Sequence, residues 1–243
     1  MKGERFMVMK VGHDYASPGY FSLNVSADTR RKEFDIKNHT LIENKLKPDF
    51  LFIGDSITHY WELSAYFNKP GQLIINRGIG GDTTTYLSQR LFADALQLSP
   101  KYCIIGIGIN DSLDLEGDYW KQLPGLPYND VLTKAKENYI DIIEQFDNTS
   151  SMPIIVSLLP INIPISLCEA KRKKFICDFN DFLYSYSKEK NLIYVDYYHT
   201  TVVPGTTLLL EGITYDGLHP NANGYNIMAT VLKNTLKKQN III

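Results

Sequence analysis

Ser56 lies in Gly54-Asp55-Ser56-Ile57-Thr58, where the apolar run Pro48-Asp49-Phe50-Leu51-Phe52-Ile53 stops. A serine between a strand end and a helix start is a candidate nucleophile. The backbone N–H groups of such a turn point toward it, and the helix dipole favours negative charge developing beside it. The chemistry to expect is acyl transfer. A serine hydroxyl needs a base to take its proton, and imidazole is the side chain suited to that near neutrality. Among five histidines, His219 stands three residues after Asp216, in a short turn ahead of a helical pattern. One loop would then deliver the base and the carboxylate that orients it. Asp196 and His199 have the same Asp-x-x-His spacing after a strand end, so spacing alone does not choose between the pairs.

Two further glycine-rich segments follow apolar runs: Asn76-Arg77-Gly78-Ile79-Gly80-Gly81-Asp82-Thr83-Thr84 and Gly106-Ile107-Gly108-Ile109-Asn110-Asp111. The last block is Asp216-Gly217-Leu218-His219-Pro220-Asn221. Singly each has a bland reading, such as an N-cap serine, a flexible turn or a helix-capping asparagine. As an ordered set they resemble the SGNH hydrolase superfamily, the GDSL esterases and lipases, over residues from about 49 to 239. The wording of the second block is similar to the branch containing the platelet-activating-factor acetylhydrolase catalytic subunits and many bacterial acylesterases.

The resemblance implies a three-layer α/β/α sandwich with a flavodoxin-like, five-stranded parallel sheet of order 2-1-3-4-5. It implies a serine esterase that hydrolyses carboxylic esters of small, acetyl-type acyl groups through an acyl-enzyme on Ser56, without a cofactor. His219 is the base because Leu218-His219-Pro220-Asn221, leading into Gly224 and Tyr225, resembles the last family block; Asp216 orients it. The oxyanion hole implied is the backbone N–H of Ser56, the backbone N–H of Gly81 and the side-chain amide of Asn110. Gly81 is taken over Gly80 because it directly precedes Asp82, as in the family block. Two other functions remain open: acyl transfer to a sugar hydroxyl, and a non-catalytic carbohydrate-binding module using the same cleft, which the sixteen tyrosines suggest.

The elements that must position these residues are legible as five apolar runs at about 49–54, 73–77, 102–107, 153–158 and 192–196. They are apolar nearly throughout, which implies strands covered on both faces and hence a parallel sheet between helices. Ligands of such sheets bind beyond the carboxyl ends of the strands, where Ser56, Gly81 and Asn110 all fall. A helix is expected over 28–46, making residues 1–27 an N-terminal extension and 28–243 the hydrolase domain. The longer connections, 112–128 and 197–215, carry Tyr119, Trp120, Leu208, Leu209 and Leu210. These are candidates for a substrate pocket or for packing over the sheet edge.

Composition narrows the partners. A chain of 243 residues with formal charge −2 lacks the basic excess of a nucleic-acid binder; the family resemblance implies a small-molecule ester as the partner. Lys171, Arg172, Lys173 and Lys174 read as the solvated face of a helix whose buried face is Phe175, Ile176, Phe179, Phe182, Leu183 and Tyr186. No window approaches a membrane span and the N-terminus has no apolar leader segment, so a cytoplasmic protein is expected. Cys103, Cys168 and Cys177 lack metal-ligand spacing and read as free, buried thiols. Asp55, Asp82 and Asp111 suggest turn acceptors and no metal site. The apolar end Ile241-Ile242-Ile243 and the N-terminal arm are candidate contacts of a homodimer.

Overall fold

The computed structural model of the protein describes residues 25–117, 122–164 and 166–243. Strands β1 (Phe50–Gly54), β2 (Ile74–Gly78), β3 (Tyr102–Gly106), β4 (Met152–Val156) and β5 (Ile193–Val195) form one sheet in the order β2-β1-β3-β4-β5. Every neighbouring pair is parallel. The order expected from the family resemblance is the order found, and strand ends lie within two residues of the expected bounds. Eight α-helices are described: α1 (Val25–Glu43), α2 (Ser56–His59), α3 (Leu63–Tyr66), α4 (Thr84–Asp94), α5 (Tyr128–Glu144), α6 (Glu169–Glu189), α7 (Tyr198–Thr201) and α8 (Ala222–Lys237).

The continuous apolar strands have the cause inferred for them, because side chains alternate between two buried faces. Leu51 and Ile53 of β1 face a core shared with Leu87 of α4, Tyr139 and Ile142 of α5, and Phe175, Phe179 and Leu183 of α6. Phe50 and Phe52 face a second core with Trp61, Phe67, and Tyr225, Met228, Leu232 and Leu236 of α8. Full burial of one such aliphatic or aromatic side chain contributes about 1.5–3 kcal/mol. Steps of three or four between successive residues within α6 and within α8 are those of one helix face.

Gly54 of β1 lies opposite Gly78 of β2 and Gly106 of β3. A Cβ on Gly54 would stand 2.0 Å from the Gly106 carbonyl oxygen. Bare backbone therefore lets the central strands end close together, immediately before Ser56.

Four expectations shift. The helix expected over 28–46 runs from Val25 to Glu43, while residues 1–24 of the expected extension lie outside the described residues. Arg172 is buried, not part of a solvated face, donating to Ser112 Oγ at 3.0 Å and Glu116 Oε1 at 3.1 Å. Cys103 is buried as expected, but Cys168 and Cys177 are half-buried; all three are free. Ile241 and Ile243 pack on the α8 core, which leaves Ile242 exposed. Among the described residues, no helix is long and apolar enough to cross a membrane.

Candidate active site

Ser56 is the first residue of α2. The preceding residue, Asp55, caps the helix, its Oδ1 accepting from the Ile57 N–H at 2.9 Å. From the other end of the chain, His219 brings Nε2 to 2.9 Å from Ser56 Oγ. His219 Nδ1 lies 2.7 Å from Asp216 Oδ2, while Asp216 Oδ1 accepts the backbone N–H groups of Leu218 at 3.0 Å and His219 at 2.8 Å. With Nδ1–H donating to Asp216, Nε2 is left as the acceptor for the serine hydroxyl. Partial burial opposes ionisation of Asp216, but the bonds from His219 outweigh it and lower the carboxyl's pKa. The loop is anchored where the Asn162 N–H donates to the Gly217 carbonyl at 2.8 Å, and it ends at Asn221, the N-cap of α8.

The second and third blocks converge on the same place. Gly81 has φ +80°, a conformation glycine adopts without the Cβ penalty. The neighbouring Gly80 N–H donates to His59 Nδ1 at 3.2 Å. Among the described residues, no group accepts from the N–H of Ser56 or of Gly81. Asn110 is buried, and its Nδ2 donates one hydrogen to the Asp82 carbonyl at 2.8 Å, leaving its second for another acceptor.

Behind them runs a buried polar network centred on Arg90 of α4. Its guanidinium donates to Asp82 Oδ2 at 2.8 Å, the Arg77 carbonyl at 2.9 Å, Asp94 Oδ2 at 3.1 Å and the Gly54 carbonyl at 3.1 Å. Burial works against this charge, and the two carboxylates outweigh it, raising the Arg90 pKa. Asp111 accepts from the Thr84 N–H at 3.0 Å and from Thr84 Oγ1. Burial nevertheless pushes Asp111 up to about 6, and it pushes Asp55 up to about 7. All three aspartates beside the blocks thus accept backbone N–H bonds in turns, Asp82 from Thr83 at 3.1 Å.

Other residues at the site carry no motif. His59 holds Gly80 and has its pKa lowered, first by burial and then by Arg30, which suits its accepting role. Exposed Tyr60 meets the His219 ring edge-on at 5.5 Å. Tyr225 OH donates to the Ile57 carbonyl at 2.8 Å, tying α8 to α2. Tyr225 was legible from the run that leads out of the last family block and from its place in the last helical pattern, while His59 and Tyr60 lack any local signal. Among the pocket candidates, Tyr119 and Trp120 lie outside the described residues. Leu209 is buried and bridges Val202, and Leu208 is half exposed. His199 does not approach Ser56; it pairs with Asp196 at the β5 edge.

Residues 52–227 match the GDSL-like Lipase/Acylhydrolase family. The chain belongs to this family. Membership makes it an ester hydrolase and not a non-catalytic binding module. It is 24% identical over 208 residues to an acetylxylan esterase from Geobacillus stearothermophilus, covering 74% of this chain and 89% of that one. Its fold is similar to a GDSL-like lipase from Bacteroides thetaiotaomicron, with TM-score 0.69 and 25% identity over 86% of this chain and 97% of that one. A catalytic mutant of the Geobacillus stearothermophilus acetylxylan esterase shares the fold with TM-score 0.59 and 19% identity, covering 79% and 96% of the two chains.

Proposed function

We propose that the protein is a serine esterase that removes small, acetyl-type acyl groups through an acyl-enzyme on Ser56. The observation that carries this reading is the continuous line from Asp216 Oδ2 through His219 to Ser56 Oγ, with contacts of 2.7 and 2.9 Å. Ser56 Oγ attacks the ester carbonyl as His219 Nε2 takes its proton. The tetrahedral oxyanion receives hydrogen bonds from the Ser56 N–H, the Gly81 N–H and the second hydrogen of Asn110 Nδ2. Asp216 stabilises the imidazolium, which protonates the departing alkoxide. Water, deprotonated by the same imidazole, then attacks the acyl-enzyme and releases the acid, restoring Ser56.

Similarity to an acetylxylan esterase favours a small acyl group. Hydrolysis of p-nitrophenyl acetate, butyrate and octanoate tests the reading. Wild type is expected to prefer acetate, and folded Ser56→Ala and His219→Ala to lose roughly 10³–10⁶ in kcat. A Ser56→Ala protein as active as wild type contradicts the assignment. Product analysis with an added sugar alcohol separates hydrolysis from transfer.

A further inference from the structure

Asp196 and His199 form a second carboxylate–imidazole pair whose local geometry duplicates the first. Asp196 Oδ1 accepts the His199 N–H at 3.0 Å, and Oδ2 lies 2.7 Å from His199 Nδ1. The His199 side chain is 79% exposed, against 26% for His219, and no hydroxyl among the described residues bonds its Nε2. This pair therefore activates no nucleophile. It lines a cavity of about 520 Å³ between α6 and the segment after β5, with Asp181, Tyr184, Tyr194, Tyr198, Thr206 and Thr207.

The lining selects by chemistry. No Lys or Arg lines the cavity, so an anion meets two carboxylates and no lysine or arginine to offset them. An apolar ligand would strip water from carboxylates, phenols and hydroxyls without replacing their hydrogen bonds. A cation would be drawn to Asp181, but the Tyr184 ring already has the Lys188 ammonium 5.2 Å from its centroid. A neutral polyol fits: its hydroxyls donate to Asp181 and Asp196, and its C–H faces lie against aromatic rings. Tyr184 is half exposed and meets Tyr194 at 5.4 Å and 73°, giving two ring surfaces nearly at right angles. Burial, then Asp196 and Asp181, raise the Tyr194 pKa, which keeps its hydroxyl a donor.

The cavity follows β5, and Ser56 follows β1, three strand spacings away in the same sheet, or about 14 Å. Tyr194 of β5 lines the cavity, while its Asp196–His199 end and Ser56 lie at the carboxyl ends of their strands. We propose that this cavity is a saccharide subsite that holds one part of a carbohydrate chain while an acetyl ester elsewhere on that chain reacts at Ser56. The link to ester cleavage rests on the esterase reading above; saccharide binding itself does not.

Calorimetric titration of the full chain with unacetylated xylotetraose and cellotetraose tests the subsite, with tetramethylammonium as the cationic comparison. Wild type is expected to bind at least one of the sugars. Tyr184→Ala and Asp181→Ala, both at exposed positions and verified as folded by circular dichroism, are expected to weaken binding about tenfold or more. On acetylated xylotetraose the same variants are expected to raise KM by a similar factor. Absence of sugar binding, sugar binding that both variants leave unchanged, or binding of tetramethylammonium in place of the sugars would overturn the proposal. Because the titrated sugars carry no ester, an inactive Ser56 affects only the KM measurement, and wild-type turnover of p-nitrophenyl acetate reports the esterase reading separately.

Discussion

Asp55 caps α2 with one oxygen while burial raises its pKa to about 7, so the residue beside the serine changes charge near neutrality. Between about pH 4 and 7 the native protein binds this proton more tightly than the unfolded chain. Stability is therefore lost as pH rises through that window. Asn caps as well as Asp but does not titrate. Asp55→Asn is expected to gain stability relative to wild type from pH 4 to 7, by up to about 4 kcal/mol at about 1.4 per pKa unit. Urea melts of both proteins at several pH values check this, and a pH-independent difference contradicts it. In the proposed mechanism Asn110 acts on charge that develops only during reaction, so Asn110→Ala is expected to lower kcat for p-nitrophenyl acetate about 10²–10³-fold with little change in KM. Ser56, Asn110 and His219 were legible because their chemistry restricts the residue type. His59 was not, because any acceptor placed at Gly80 would do, and the fold supplies this one from 21 residues away.

The strands were readable because burial on both faces imposes an unbroken apolar run, and α8 because its buried residues recur at helical spacing. Arg172 shows where that logic stops. Three lysines flank it in sequence, yet its partners Ser112 and Glu116 lie more than fifty residues away and make its burial tolerable. Arg90 is the same case with greater consequence, since it joins the last carbonyl of β1 to Asp82, whose own carbonyl orients the Asn110 amide. Arg90→Met is expected to leave Asp82 and Asp94 buried without this guanidinium and to cost about 3–5 kcal/mol by denaturant unfolding. A loss below about 1 kcal/mol would show that the network does not hold α4 against the sheet. The pairing of α1 with this network was also hidden: Arg31 meets Asp94, and Asn38 accepts from Arg77 at 2.9 Å, so polar contacts replace an apolar stripe.

Across the whole molecule, four segments separated by up to 163 residues meet at the carboxyl edge of one sheet, and the two cores on its faces hold them there. The parallel order puts β1 near the centre, so the loop after it is reached both by the block following β2 and by the block following β3. The pocket for the rest of the substrate was less legible, because surface loops carry no periodic constraint on which side chain faces the cleft. The central claim is that Ser56 is the nucleophile activated by His219. Intact-mass and peptide-mapping analysis after treatment with diethyl p-nitrophenyl phosphate tests it most directly, because the reagent phosphorylates an activated serine and releases p-nitrophenol. The account predicts one diethylphosphoryl group per chain, on Ser56, with parallel loss of esterase activity and no such adduct in His219→Ala. Modification at another residue that removes activity while Ser56 stays unlabelled would contradict it.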